Sequence, residues 1–252
     1  MIPVRVIEPS TTGPLSTSAR LRQLIDNDIT AWGATVLRGI DPSWSDAVLD
    51  VARLIGSVDL KVGPELSGPP VMDVRFDPIK APGRQQTYFT SDAFCLHTDL
   101  SYVTDPPKYL LMHCVQHDAD GGGVTLLADC RIAFGAVSNE SRSILSQTIF
   151  KFDYPPSLPP GGGLTQAIHE TTEARQIWRY RPDRLQYPAW AQPAVGEFDQ
   201  ALRSAAASHL LVAGDLMVVD NHRTAHGRTA FRADGRESQR HLRRSYAYSN
   251  HH

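Results

Sequence analysis

Near the start of the chain, apolar residues recur at helical spacing in two places. Leu21, Leu24, Ile25, Ile29 and Trp32 follow a period near 3.6 and predict a helix over 18–31, which Gly33 would stop. Ala47, Val48, Val51, Leu54 and Ile55 repeat the pattern, with Ser43 or Ser45 as the expected cap. Between them, 34–37 is a short apolar run, so residues 1–56 read as helix, strand, helix. Residues 57–90 mix charged residues, Pro and Gly without a sustained period of either kind. A connection of that length inside a compact domain reads as a lid loop. Beyond residue 90 the pattern changes to short runs rich in β-branched and aromatic residues, at 109–115, 124–127, 149–154, 177–180, 216–219 and 242–248. Helical interruptions are expected around 139–147 and 194–207. The prediction is an α+β chain, one domain over 1–252, whose larger part (91–250) is a β-sandwich or barrel with helices outside it.

Composition narrows the function. A chain of 252 residues, 41% hydrophobic, can bury a core without a metal or disulfide staple. Lys plus Arg number 25 against 27 Asp plus Glu, which is not the balance of a protein that coats itself in nucleic acid or anionic lipid. A small-molecule substrate is therefore the expected partner, with no nucleic acid and no membrane. Cys95, Cys114 and Cys130 follow no Cys-x-x-Cys spacing, which fits a reducing, cytoplasmic setting. No stretch approaches ~18 apolar residues. Nothing in the pattern speaks to oligomeric state.

Among ten His residues, only His97 stands in a His-x-Asp or His-x-Glu triplet, in FCLHTDLSYVTDPP. In extended backbone, residues i and i+2 face the same way, so His97 and Asp99 can converge on one point. By itself such a pair is most often a surface hydrogen bond. A second signal is GDLMVVDNHRTAHGRTAF, where the apolar run 216–219 leads to His226, as though a strand delivered a His at its end. A third is QRHLRRSYAYS, whose alternation puts Arg240, Leu242, Arg244, Tyr246 and Tyr248 on one strand face. Inward-facing Arg in a barrel requires an anion. The fourth is the Gly-rich turn 121–123 entering a strand whose first polar side chain is Thr125, a hydroxyl able to donate to a carboxylate.

Taken together, His97-x-Asp99, Gly122-Gly123-x-Thr125, His226 within DNHRTAHGRT, and Arg240-x-x-x-Arg244 resemble the iron(II)/2-oxoglutarate dioxygenases of the TauD/TfdA superfamily, in spacing most like the clavaminate synthase branch. The resemblance covers roughly 88–250, and Leu37-Arg38-Gly39 in the opening is also similar. It implies a double-stranded β-helix (jelly roll) with flanking α-helices. It implies that His97, Asp99 and His226 bind Fe(II), that Arg240 and Thr125 hold the distal carboxylate of 2-oxoglutarate, and that Arg244 lies near its C1 carboxylate. Two His and one carboxylate would occupy one face of an octahedral iron and leave three positions for 2-oxoglutarate and O2. Related halogenating enzymes have a small residue where this chain has Asp99, so hydroxylation is expected. Desaturation, cyclisation and epoxidation are alternatives with the same cofactors.

Candidate substrate contacts are Arg84, Gln85, Gln86, Ser91, Asp92, Arg179, Arg181 and Asp183, whose paired charges would suit an amino-acid-like substrate. Two readings compete from other classes: a zinc hydrolase built on the same triad, for which Arg240 and Thr125 would have no use, and a non-catalytic ligand-binding jelly roll. Oxidation of a nucleic-acid base is a further option, against which the chain has no groove-reading motif.

Overall fold

The computed structural model describes residues 4–9, 15–58, 70–77, 89–155, 161–173, 175–232 and 240–249. In chain order the elements are β1 (Arg5–Ile7), α1 (Ala19–Trp32), β2 (Ala34–Leu37), α2 (Ala47–Ile55), β3 (Met72–Arg75), β4 (Phe94–His97), β5 (Tyr109–Gln116) and β6 (Thr125–Asp129). There follow α3 (Cys130–Ala136), α4 (Asn139–Leu145), β7 (Phe150–Asp153), β8 (Gly163–Gln166), β9 (His169–Thr171), β10 (Gln176–Trp178) and β11 (Leu185–Gln186). The last are α5 (Gln192–Ala205), β12 (Ala207–His209), β13 (Leu216–Asp220), β14 (Thr224–Arg228) and β15 (His241–Ala247).

Two sheets carry the architecture. The larger has six strands in the order β1-β2-β13-β5-β15-β3, and the smaller four in the order β12-β6-β14-β4. Apart from the parallel β1–β2 pair, their ladders are antiparallel. Strand β13 shows why the sheets stack. Its Met217 and Val219 join Leu110, Leu127 and Leu242 in a core between the sheets, while Leu216 and Val218 join α1 and α2 in a second core outside the larger sheet. A period of two with both faces apolar is a strand covered on both sides. A third core packs α3, α5, β7 and β10 against the outer face of the smaller sheet through Ala128 and Ala225. The mixed α+β content agrees with expectation.

Local chemistry explains the element boundaries. The Ser18 side chain accepts from the Leu21 N–H and starts α1, and Gly33, at φ 80°, ends it with its N–H on the Ile29 carbonyl. A Cβ at Gly33 would also meet the Thr224 hydroxyl at 2.4 Å, so the turn doubles as a close approach to β14. Neither expected serine caps α2. Asp46 stands at the cap without a side-chain bond, and Ser43 instead donates its hydroxyl to Asp41 at 2.7 Å. The stretch 57–90 is not wholly without regular structure. Residues 72–75 form β3 and close the larger sheet by pairing with β15, while 59–69 and 78–88 lie outside the described residues.

Candidate metal and cosubstrate site

The site sits between the sheets. Strand β4 ends at His97, whose Cα partner across the ladder is His226 of β14. The chain then turns: the Thr98 N–H donates to the Tyr180 carbonyl at 2.7 Å, and the Tyr180 N–H donates to the Thr98 hydroxyl at 3.0 Å. Asp99 therefore stands on a turn and not in extended backbone, followed by Leu100 at φ 56°, a conformation uncommon for a non-glycine residue. His226 likewise is not at the end of the 216–219 run. That strand ends at Asp220, a turn intervenes, and His226 is the central residue of β14.

The three side chains nonetheless converge. One ligand atom from each of His97, Asp99 and His226 lies within 4.8 Å of the others, and all three residues are buried. His97 Nε2 is 3.3 Å from Asp99 Oδ1, and His226 Nε2 is 3.7 Å from Asp99 Oδ2. Adjacent ligands on an octahedral ion at ~2.1 Å stand roughly 3 Å apart, so the spread suits one small divalent cation. His97 Nδ1 donates to the Cys95 carbonyl at 2.9 Å, which fixes the ring and leaves Nε2 as the acceptor. Burial, then the neighbouring His226 and the charge of Arg181, push the His97 imidazole down to about 4, so its lone pair is available at neutral pH. Burial alone would raise the Asp99 carboxyl, but Arg244 and the two His outweigh it and hold it well below the usual carboxylate range. A carboxylate with two imidazoles is a donor set suited to Fe(II).

Two groups that pattern reasoning left without a role hold Asp99 in place. The Tyr246 hydroxyl donates to Asp99 Oδ2 at 2.8 Å. Asn221 accepts from the Asp99 N–H at 2.7 Å and donates to the Asp99 carbonyl at 3.1 Å. The shared strand face of residues 240 to 246 pointed to Tyr246; Asn221 stands in the DNHRTAHGRT motif, where pattern alone gave it no role, and acts from the turn before β14.

At the other end of the cavity, Arg240 is buried with its guanidinium 5.5 Å from the Phe231 ring centroid, and Thr125 is buried on the facing strand. The Gly-rich turn makes this possible. A Cβ at Gly123 (φ 67°) would sit 2.5 Å from Arg240 Cδ and Nε, and one at Gly122 would sit 2.8 Å from Phe231 Cα. Arg244 lies nearer the triad, with Nη1 3.4 Å from Asp99 Oδ2.

The expected substrate contacts divide. Arg181 reaches toward Asp99 at 3.9 Å, pairs with Asp183 at 2.8 Å and lies 5.0 Å from the Phe94 ring centroid, so Arg181 and Asp183 border the triad. Burial would raise the Asp183 carboxyl, and Arg181 more than offsets it and keeps it ionised below the ordinary range. Arg179 is elsewhere. It is 1% exposed and donates to the Ser101, Val103 and Thr104 carbonyls and to Glu170, so it braces the turn after Asp99. Asp92 is exposed, with Arg228 as a charged neighbour. Arg84, Gln85 and Gln86 lie outside the described residues.

Two facing sheets with a buried pair of His and one carboxylate between them are the arrangement of a mononuclear non-haem metal enzyme. The chain belongs to the taurine catabolism dioxygenase TauD, TfdA family, whose profile matches residues 7–246. It is thus an Fe(II)- and 2-oxoglutarate-dependent oxygenase, which sets aside the zinc hydrolase and the non-catalytic jelly roll. A curated relative is the L-asparagine oxygenase of Streptomyces coelicolor (strain ATCC BAA-471 / A3(2) / M145), 26% identical over 247 residues, covering 85% of this chain and 70% of that protein. Among solved structures, asparagine oxygenase (AsnO) superposes with a TM-score of 0.77 at 20% identity, covering 97% of this chain and 93% of the other. The non-heme iron oxygenase OrfP with Fe, succinate and (3S)-hydroxy-L-Arg gives 0.74 at 17%, covering 92% and 82%. Among the described residues no helix is long and apolar enough to cross a membrane.

Proposed function

We propose that this enzyme hydroxylates an unactivated C–H bond of a free amino acid or an amino-acid-derived small molecule, with 2-oxoglutarate and O2 consumed and succinate and CO2 released. The observation that carries the reading is the convergence of His97, Asp99 and His226 in a buried cavity whose far end holds Arg240 and Thr125. His97, Asp99 and His226 would hold the iron, and Asp99 fills the place that a halide would need. When bound, the iron with its keto acid and O2 supplies the oxidising power for C–H cleavage. Arg240, with the Thr125 hydroxyl, would hold the distal carboxylate of 2-oxoglutarate, and Arg244 the end nearer the triad. The surrounding core, including Leu110, Leu242 and Val74, excludes water from the reacting centre.

An amino-acid substrate is supported from two sides. Arg181 and Asp183 offer a cation and an anion beside the triad, which suits a zwitterion. The asparagine oxygenase is named for one amino acid, and one of its structures holds 2S,3S-3-hydroxyasparagine. We further read the two facing sheets as a double-stranded β-helix, and the Arg240 and Arg244 spacings as those of the clavaminate synthase branch.

The test is direct. Replacing His97 or His226 by Ala should abolish both Fe(II) binding and 2-oxoglutarate turnover, and a panel of free amino acids should contain one that stimulates succinate release and gains one oxygen mass. Full turnover in His97→Ala would refute the metal assignment. Silence across the amino acids and their derivatives would refute the substrate class.

A further inference from the structure

The end of the cavity away from the triad carries more positive charge than the assignments above use. Arg228 stands two residues beyond His226 on β14, so both side chains leave the same face of the strand. Its Cα is in register with Thr125 on one side and Phe94 on the other. It therefore belongs to the row of side chains next to the row containing His97, His226 and Leu127. Arg240 reaches the same place from the facing sheet. The two guanidinium carbons lie 4.7 Å and 5.5 Å from the centroid of one ring, that of Phe231.

Both arginines are buried, at 7% and 6% exposure, and both line the cavity. Among the described residues no carboxylate comes within ion-pair range of Arg240, which feels Asp118 only through its field. Arg228 also donates to the carbonyls of Thr90 and Thr229. Two guanidinium groups that line one small cavity beside one ring suit a carboxylate, whose two oxygens can take one fork each. Two strand residues span ~6.8 Å, comparable to the length of a five-carbon diacid whose other end lies at the triad.

We propose that Arg228 is a second guanidinium for the distal carboxylate of the keto-acid cosubstrate, gripping it together with Arg240, and that it makes the site select a dicarboxylic 2-oxo acid over a monocarboxylic one. The proposal rests on the cosubstrate role given to Arg240 above.

It is tested by calorimetric titration of the Fe(II)-loaded protein, held without oxygen, with 2-oxoglutarate and with 2-oxopentanoate, which has the same chain length and no distal carboxylate. Arg228→Met should weaken 2-oxoglutarate binding about tenfold or more and leave 2-oxopentanoate binding unchanged, so that the preference shrinks. Arg228→Lys, which keeps the charge and loses the fork, should fall between. Unchanged 2-oxoglutarate affinity, or equal losses for both acids in a variant that melts like the parent, would overturn the proposal and leave Arg228 as a strut for the Thr90 segment. If Arg228→Met does not fold, Arg228→Lys decides: it must weaken 2-oxoglutarate at least about threefold while sparing 2-oxopentanoate. Arg240→Met separates the two levels. If it too leaves the preference intact, the cosubstrate assignment fails; if it removes the preference while the Arg228 variants do not, only the present proposal fails.

Discussion

Asp99 sits in a turn, where backbone geometry alone would not aim its carboxylate. The aim comes from its neighbours: the Tyr246 hydroxyl on Oδ2, Arg244 behind it, and Asn221 clamping the peptide groups on both sides while donating a further bond to the Pro107 carbonyl. A partner that donates to a ligating carboxylate sets its orientation and its basicity, and removing such a partner usually weakens metal binding 10–100-fold. Tyr246→Phe should thus lower Fe(II) affinity by about tenfold, measured by metal titration, while leaving the melting temperature of the metal-free protein within a few degrees. An affinity equal to that of the parent would mean that Arg244 and Asn221 suffice. Arg179 gives the opposite lesson. A charged side chain in a promising motif is spent on three backbone carbonyls and Glu170, and only the fold reveals it.

At the scale of elements, β14 is the joint of the molecule. It brings His226 between β4 and β6, and the residue just before it, Arg223, ties the strand to the helix that opens the chain. Arg223 donates to the last carbonyls of α1, those of Ile29, Thr30 and Ala31, and doubly to Asp129 at the end of β6. The C-terminus of a helix is the place where a cation is favoured, and unmet carbonyls there are costly when buried. Arg223→Leu should destabilise the protein by about 2–4 kcal/mol in denaturant unfolding, because it strands a buried carboxylate that keeps only Arg131. A loss below ~1 kcal/mol would show that water replaces the fork readily. The glycine turn 121–123 works at the same scale: its lack of side chains is what lets Arg240 lie flat beneath it.

On the scale of the whole molecule, three cores lie in layers about the two sheets, and the layering also buries titratable groups outside the site. His113 on β5 is fully buried. Burial, then Arg243, bring its imidazole down to about 4, with the Ile40 backbone and Asp41 opposing. In the unfolded chain a His titrates near 6.5, so between roughly pH 6.5 and 4 the unfolded state holds the extra proton and stability falls as pH falls. His169, His209 and His222 are depressed in the same direction by burial. The metal-free protein should lose stability steadily from pH 7 to pH 4.5, and His113→Gln should remove about 1–2 kcal/mol of that loss in unfolding measured at both pH values. Parallel pH profiles for parent and variant would show that His113 takes up its proton in the folded state as readily as in the unfolded one.

The sequence by itself determined the helix-strand-helix opening, the strand-rich remainder and the residues that meet at the site, because periodicity and motif spacing are local properties that survive without coordinates. It also carried the family, since the motifs occur in order along the chain. What the tertiary structure decided were facts about neighbours distant in sequence: that Asn221 and Tyr246 fix Asp99, that Arg228 shares a ring with Arg240, that Arg179 faces backbone, and that 72–75 pairs with β15. Each depends on which strand lies beside which, and register is set by packing between segments that no local pattern records.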